Sequence, residues 1–218
     1  MTTSRPPIET SERGAPSAAP PEAILQAWRH LSPVLHGRRV TLREPRPSDA
    51  GTLLALLSTH DVARLMAPPP HTRHSFEQFI VRARERRAAG EGVCFGVVPQ
   101  GHAAPVGLFQ VWQMDAAFNV AEWGFALASA CWGDGLFFAS APLVIDFVFD
   151  VLGARRLEAR AAVQNGRGNG ALRKLGAQQE ALLRRSLLKN GTYLDQILWA
   201  IEADEWRALG TTRKLRIH

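Results

Sequence analysis

Two glycine-rich turns carry the most legible chemistry in this 218-residue chain. In Glu122-Trp-Gly-Phe-Ala-Leu-Ala-Ser-Ala-Cys-Trp-Gly-Asp-Gly135, a strand pattern ends near Leu127, and Gly133 and Gly135 open an apolar helix from Leu136 to Leu152. In the second, a strand pattern over Arg156–Gln164 runs into Asn165-Gly-Arg-Gly-Asn-Gly170 and a short helix that stops at Gly176. The first N–H groups of a helix lack intrahelical acceptors and lie at the positive end of its dipole, so each start suits an anion such as a phosphate. Gly133 and Gly135 allow close backbone approach because no Cβ intervenes. Asn165 adds an amide donor and acceptor, and Arg167 a guanidinium fork that matches phosphate. Two fingerprints are absent: no Lys-Ser/Thr follows the glycines, and Phe138 stands where a dinucleotide GxGxxG needs its last glycine. Asp134 is an awkward neighbour for a phosphate and reads as a helix-start carboxylate. One such turn alone could be a plain strand–helix connection; two suggest a long anionic cofactor crossing strand ends.

Glu122 is the candidate proton acceptor. Strand alternation puts it on the face of Val120, Gly124 and Ala126, whose small side chains leave room for a cleft, and sends Trp123, Phe125 and Leu127 to the other face. A partly desolvated carboxylate there would have a raised pKa and could take a proton directly or through water. The competing reading is a glutamate salt-bridged to an arginine, since all but three of the 26 basic side chains are arginine. Cys94 and Cys131 read as buried thiols in a reducing compartment, without a sequence-near base to activate either. The seven histidines show no ligand spacing, so no metal site is expected.

Local patterns supply the elements that must position these groups. Residues 1–35 hold many prolines and read as a flexible arm, with a short helix over 21–30 carrying Ile24, Leu25 and Trp28. A single domain over 36–208 and a basic tail over 209–218 are expected. Arg39–Glu44 alternates as a strand, and Ser48 is a plausible N-cap for a helix bearing Leu53, Leu54, Leu56 and Leu57. A basic amphipathic helix follows at Ser75–Ala89. Strands at Val93–Val98, Pro105–Gln113 and Asn119–Leu127 precede the first glycine turn, and strands at Gln178–Leu188 and Tyr193–Glu202 close the chain. This order describes an α/β fold of the α+β kind, a mixed sheet flanked by helices.

Composition bounds the function. The chain is 46% hydrophobic and 21% charged, with mean hydropathy −0.10, which is ordinary for a globular domain. No apolar run approaches the roughly 20 residues of a membrane span. The opening Met-Thr-Thr-Ser-Arg-Pro-Pro lacks the apolar stretch of a secretory leader, so a cytoplasmic location is expected. A net charge of +6 and pI near 10.3 favour anionic partners without choosing among phosphates, an acidic cofactor and nucleic acid.

The ordered set of motifs resembles the GNAT acetyltransferase superfamily, specifically its ribosomal-protein N-terminal acetyltransferase branch. The matching marks are Gly37-Arg-Arg-Val-Thr-Leu-Arg43, Glu122-Trp-Gly-Phe125, Trp132-Gly-Asp-Gly135 and Leu157-Glu-Ala-Arg160, continued by Asn165, Lys174-Leu-Gly176, Glu180, Leu183-Arg184, Gly191, Asp195 and Glu205-Trp206. The resemblance implies a mostly antiparallel, twisted central sheet with a splay between its fourth and fifth strands. It implies acetyl-CoA as co-substrate and a primary amine as acceptor. Pantetheine would lie along Phe125, Ala126 and Leu127. The pyrophosphate would sit on the amides of Trp132, Gly133, Asp134, Gly135, Leu136 and Phe137, with Asn165 and Gly168 at the second turn. Glu122 occupies the position that often serves as base.

Three departures are visible. Leu172 stands where many of these enzymes carry a thiolate-protonating Tyr, Gly168 where the branch often has Ser, and Phe138-Ala139-Ser140 where it has Thr-Glu-Ala. No general acid is therefore assigned; Tyr193 reads as core or cleft-wall packing, and Asp195 as either an amine contact or a structural hydrogen-bonder. A non-catalytic acyl-CoA-binding module is one alternative, and a basic ribosome- or nucleic-acid-binding protein a weaker one, without an aromatic-basic motif to support it. A homodimer is compatible with the sequence, which does not by itself set the oligomeric state.

Overall fold

A computed structural model of the protein describes residues 27–66 and 69–215, with the backbone alone over 211–215. Of the helix expected over 21–30, residues 27–30 are described and helical, the Leu31 N–H donating to the Ala27 carbonyl at 2.8 Å; its first part and most of the arm lie outside the described residues. The last stretch read as arm is packed: Trp28 is buried with its ring edge-on at 6.2 Å to Phe118, which lies in the connection between β4 (Gly107–Gln113) and β5 (Val120–Leu127).

One eight-stranded sheet organises the rest, in the order β1-β2-β3-β4-β5-β6-β8-β7. The strands are β1 (Leu35–His36), β2 (Val40–Arg43), β3 (Gly92–Pro99), β4 (Gly107–Gln113), β5 (Val120–Leu127), β6 (Arg156–Ala162), β7 (Gln178–Lys189) and β8 (Thr192–Glu202). The two-residue β1 adds a strand to the sequence reading, so the expected splay falls between β5 and β6. These two strands form the parallel pair, and their register spans only Val120–Glu122 against Arg156–Glu158. From Trp123 onward they separate. The crossover between them is α4 below, as a parallel connection requires.

Helices α1 (Ala50–Leu57), α2 (His60–Ala63) and α3 (Arg73–Ala89) lie on one face of the sheet. Leu53, Leu57, Phe76 and Ile80 pack there on Cys94 and Leu108. The other face carries α4 (Leu136–Asp150), α5 (Gly166–Leu175) and α6 (Ala203–Leu215), whose apolar sides meet Phe95, Phe109, Trp123, Leu157 and Trp199. Four of the six tryptophans, at 28, 123, 199 and 206, are buried, which leaves little aromatic surface for stacking on bases.

Two local expectations change. Ser48 is not an N-cap; it lies inside a short 3-10 turn, Pro47–Asp49, started by the proline. Asp49 does the capping, accepting from the Arg46 N–H at 2.8 Å and from Arg43 at 2.7 and 3.0 Å. Burial pushes the Asp49 pKa up, but these hydrogen bonds outweigh it and hold the carboxyl below its ordinary range. The residues read as a basic tail begin inside α6, which runs on to Leu215.

Candidate active site

Three cavities join into one trough across the sheet face beneath α1–α3. The largest, about 730 Å³, has Glu122 and Gly124 on its floor. At one end it shares Leu65, Met66, Phe125, Ala126, Asn165 and Gly168 with a second cavity of about 320 Å³, where Trp132, Phe137 and Arg167 join the lining. At the other it shares Phe79, Arg82, Gln110 and Trp112 with a third of about 160 Å³. The splay makes the trough: where β5 and β6 part, no side chain bridges Gly124 and Ala126 to the opposite strand. Lys189, from the far end of β7, donates to the carbonyls of Ala63 and Met66 at 2.8 and 2.9 Å and so fixes the wall after α2.

Glu122 is 7% exposed and faces Trp112 across the β4 ladder and Glu158 across the short parallel one. Its Oε2 lies 2.8 Å from Arg160 Nη1. Burial pushes its pKa up, Arg160 pulls it down, and Glu158 pushes it up again; the net shift is upward. Glu122 is thus both ion-paired and less acidic than an ordinary glutamate. Glu158 is itself held by Arg156 at 2.8 Å, which also pairs with Glu202 at 2.7 Å and with Glu180. Sequence reasoning missed Arg160. The signal was there: Arg160 follows Glu158 by two residues in an alternating strand, which puts both on one face.

At the first turn, Gly133 and Gly135 have φ of +92° and +74°, a conformation that costs glycine little and other residues much. Among the described residues, no acceptor takes the backbone N–H groups of the six residues from Gly133 to Phe138. Arg39 Nη1 pins the turn by donating to the Asp134 carbonyl at 2.7 Å, and Trp132 Nε1 donates to the Leu127 carbonyl at 3.0 Å. Phe125, Ala126, Leu127, Trp132 and Phe137 line the trough. Gly133, Asp134, Gly135 and Leu136 do not: the glycines carry no side chain, Leu136 is buried in the core and Asp134 is exposed, so only their backbone amides are on offer.

At the second turn, Asn165 caps α5, its Oδ1 accepting from the Gly168 N–H at 2.9 Å. Half of its amide is therefore committed to the fold. A Cβ at Gly168 would come within 2.7 Å of Asn165 Nδ2, so a larger residue there would have to shift the Asn165 amide. Arg167 Cζ sits 4.4 Å from the centroid of the Trp132 ring, a cation–π contact that clips the two turns together.

Other candidates fall away from the chemistry. Leu172, 1% exposed, contributes apolar wall to the trough. Tyr193 is neither core nor cleft wall: it is 59% exposed on β8, beyond the helices that cover the sheet, and lines none of the three cavities. Asp195 is structural, its Oδ1 accepting from the Arg185 N–H at 2.8 Å in an irregular stretch of the β7–β8 pair. Cys94 is buried, and burial, with Glu44 adding, pushes its thiol far up; Cys131 is only half-buried, its pKa raised by burial and then by Asp134. Among the described residues no cluster of His, Cys, Asp and Glu is placed to hold a metal ion, and no helix is long and apolar enough to cross a membrane.

Comparisons with known proteins bear on the family and the fold. The pattern of the family described as Acetyltransferase (GNAT) domain matches residues 39–178. The uncharacterized N-acetyltransferase YoaA of Bacillus subtilis is 25% identical over 176 residues, which cover 78% of this chain and 97% of YoaA. Mycobacterium smegmatis RimJ, solved in complex with CoA-disulfide, superposes with a TM-score of 0.74 at 23% identity, over 84% of this chain and 96% of RimJ. The ribosomal-protein-S5-alanine acetyltransferase of Vibrio fischeri gives 0.71 at 21% identity, over 80% and 98%. The chain belongs to the GNAT acetyltransferase family, its likeness running to the ribosomal-type branch, and it is an acetyl-CoA-dependent acetyltransferase.

Proposed function

We propose that the protein moves an acetyl group to a primary amine, with the amine attacking the thioester directly and Glu122 taking its proton. The observation that carries this reading is the position of Glu122: a buried carboxylate of raised pKa, midway along a trough that has free backbone N–H groups near one end and open lining at the other. An attacking amine must be neutral and must shed a proton as the new bond forms, which is the task of such a carboxylate. Arg160 holds Oε2 and leaves Oε1 to meet the amine.

The residues at the Asn165 end fit acetyl-CoA. Six consecutive N–H groups without acceptors, on a turn whose glycines put no Cβ in the way, suit a pyrophosphate, and Arg167 stands beside them. Phe125, Ala126 and Leu127 offer unpaired strand edge and apolar surface to pantetheine, with the remaining Asn165 Nδ2 as a donor. When bound, acetyl-CoA supplies the thioester carbonyl that the amine attacks. Leu172 cannot protonate the departing sulfur; a thiol with pKa of about 8.5 leaves as thiolate near neutral pH without help. Neither cysteine serves as an acyl carrier, since burial keeps both protonated.

Calorimetric titration tests the first half: acetyl-CoA is expected to bind and NADH to give no heat. Acetyl-CoA that binds to a protein inert toward every amine would replace the proposal by a binding module. pH tests the second half. Because Glu122 must be ionised to accept a proton, kcat/KM should fall as pH drops through a value above the ordinary glutamate range. Arg160 favours the ionised form, so Arg160→Gln should move that acid limb to higher pH. The groups that face Glu122 are Arg160 and Glu158 from β6, uncharged Gln110 and Trp112 from β4, and Arg82 and His71 from α3 and the segment before it. His71→Gln is the control; if it removes the limb and Arg160→Gln leaves it in place, the titrating group is not Glu122.

A further inference from the structure

We infer that the acceptor is an acidic peptide N-terminus, whose chain leaves Glu122 along the Arg82 end of the trough; this rests on the function proposed above. The trough does not stop at Glu122. It continues for about 160 Å³ over the ends of β3 and β4, with α3 as its roof. The floor is Gly92 and Cys94 beside their register partners Trp112 and Gln110, and Phe79 forms an apolar wall. A small amine would need none of this extension, whereas a chain carried behind an amine needs a way out.

Charge selects the chain. On α3, Arg73 pairs with Glu77, and Arg84 and Arg87 pair with Glu44. Arg82 and Arg86, which line the extension, are exposed, and their side chains make no ion pair or hydrogen bond among the described residues. Among the described residues, the only carboxylate lining either this extension or the central cavity is Glu122, with which Arg160 pairs. A peptide following its amine through this end therefore runs beside two unpaired guanidinium groups, with no carboxylate among the described residues of the wall.

The spacing fits an extended strand. Four residues of helix separate Arg82 and Arg86 by about 6 Å along the axis. Side chains at alternate positions of an extended chain lie about 6.8 Å apart on one side. Acidic residues two apart near the N-terminus can meet both guanidinium groups. The same charge, on a protein of net +6, steers acidic chains toward the trough.

The test uses peptides that share an N-terminal alanine and carry Glu, Gln or Lys at positions two to four, with a small uncharged amine alongside. Exposed ion pairs of this kind change kcat/KM by about threefold each, so the Glu peptide should exceed the Lys peptide by about tenfold. That preference should shrink as salt rises. Arg82→Glu combined with Arg86→Glu should invert the order, and Arg82→Gln alone should narrow it, with melting temperatures confirming folded protein. Equal rates across the peptides, or a ranking unchanged in the double variant, would overturn the acceptor assignment while leaving acetyl transfer to amines standing. Transfer to the small amine and to no peptide would overturn it too. Failure with every amine would instead sink the function on which it rests.

Discussion

Glu122→Gln is expected to lower kcat by about 10²- to 10³-fold while changing the affinity for acetyl-CoA by no more than about twofold. Glutamine keeps the shape of the side chain and an oxygen for Arg160, but it cannot take a proton from the amine. Cofactor affinity should survive because Glu122 is not among the residues lining the Asn165-end cavity. Glu122→Asp keeps the charge but draws it back by one methylene, so its rate should fall between the two. Glu122→Gln also leaves Arg160 with only the more distant Glu158, at 4.0 Å, as counter-ion, and a thermal melt shows whether lost turnover is merely lost fold. A kcat within threefold of the native enzyme in well-folded Glu122→Gln would make the Glu122–Arg160 pair a structural one and remove the base from the proposal.

The second large effect is on stability. Trp199→Ala should cost about 3–5 kcal/mol in denaturant unfolding, with little change in the slope against denaturant. Trp199 is 2% exposed and fills the space between β8 and α5. Its Nε1 donates to Asn169 Oδ1 at 2.8 Å, and Asn169 Nδ2 in turn donates to the Ala162 carbonyl at 2.9 Å. Removing the indole therefore opens a cavity and leaves a buried amide oxygen without a donor. Trp199→Phe keeps most of the volume and should cost about 1–3 kcal/mol. The pair of variants separates packing from hydrogen bonding; equal losses would mean the Asn169 link contributes nothing. Because Asn169 ties the end of β6 to the turn that holds Asn165, Trp199→Ala should also weaken acetyl-CoA binding in the fraction that stays folded.

Much of the architecture was legible because it is written in short-range periodicity. The alternation in Val120–Leu127 put Glu122, Gly124 and Ala126 on one face before any fold was known, and the observed register keeps them there. Glycine is read with similar ease, since a left-handed φ at Gly133 or Gly135 is a local property of the backbone. Short elements are harder. Leu35–His36 is too brief to show a period, and it became a strand only because β2 offered an unpaired edge. Trp28 looked like part of an arm because its partner Phe118 is 90 positions away. Tyr193 was misread for the converse reason: strand alternation says which face a residue is on, but not whether anything covers that face.

By itself the sequence determined most of the order of strands and helices, β1, α2 and α6 apart, with the two glycine turns, the face on which Glu122 stands and the family to which the chain belongs. These rest on residue type and on spacings of a few residues, where sterics and hydrogen bonding act locally. The tertiary structure decided the rest. It joined Glu122 to Arg160 through a parallel pairing of three residues, clipped Arg167 onto Trp132, and committed Asn165 to the cap of α5. Among the described residues it also left Arg82 and Arg86 without an ion-pair partner while Arg84 and Arg87 found Glu44. Those outcomes depend on which distant segments the sheet brings together, since the strength of an ion pair and the shift of a pKa are set by burial and distance in space rather than along the chain.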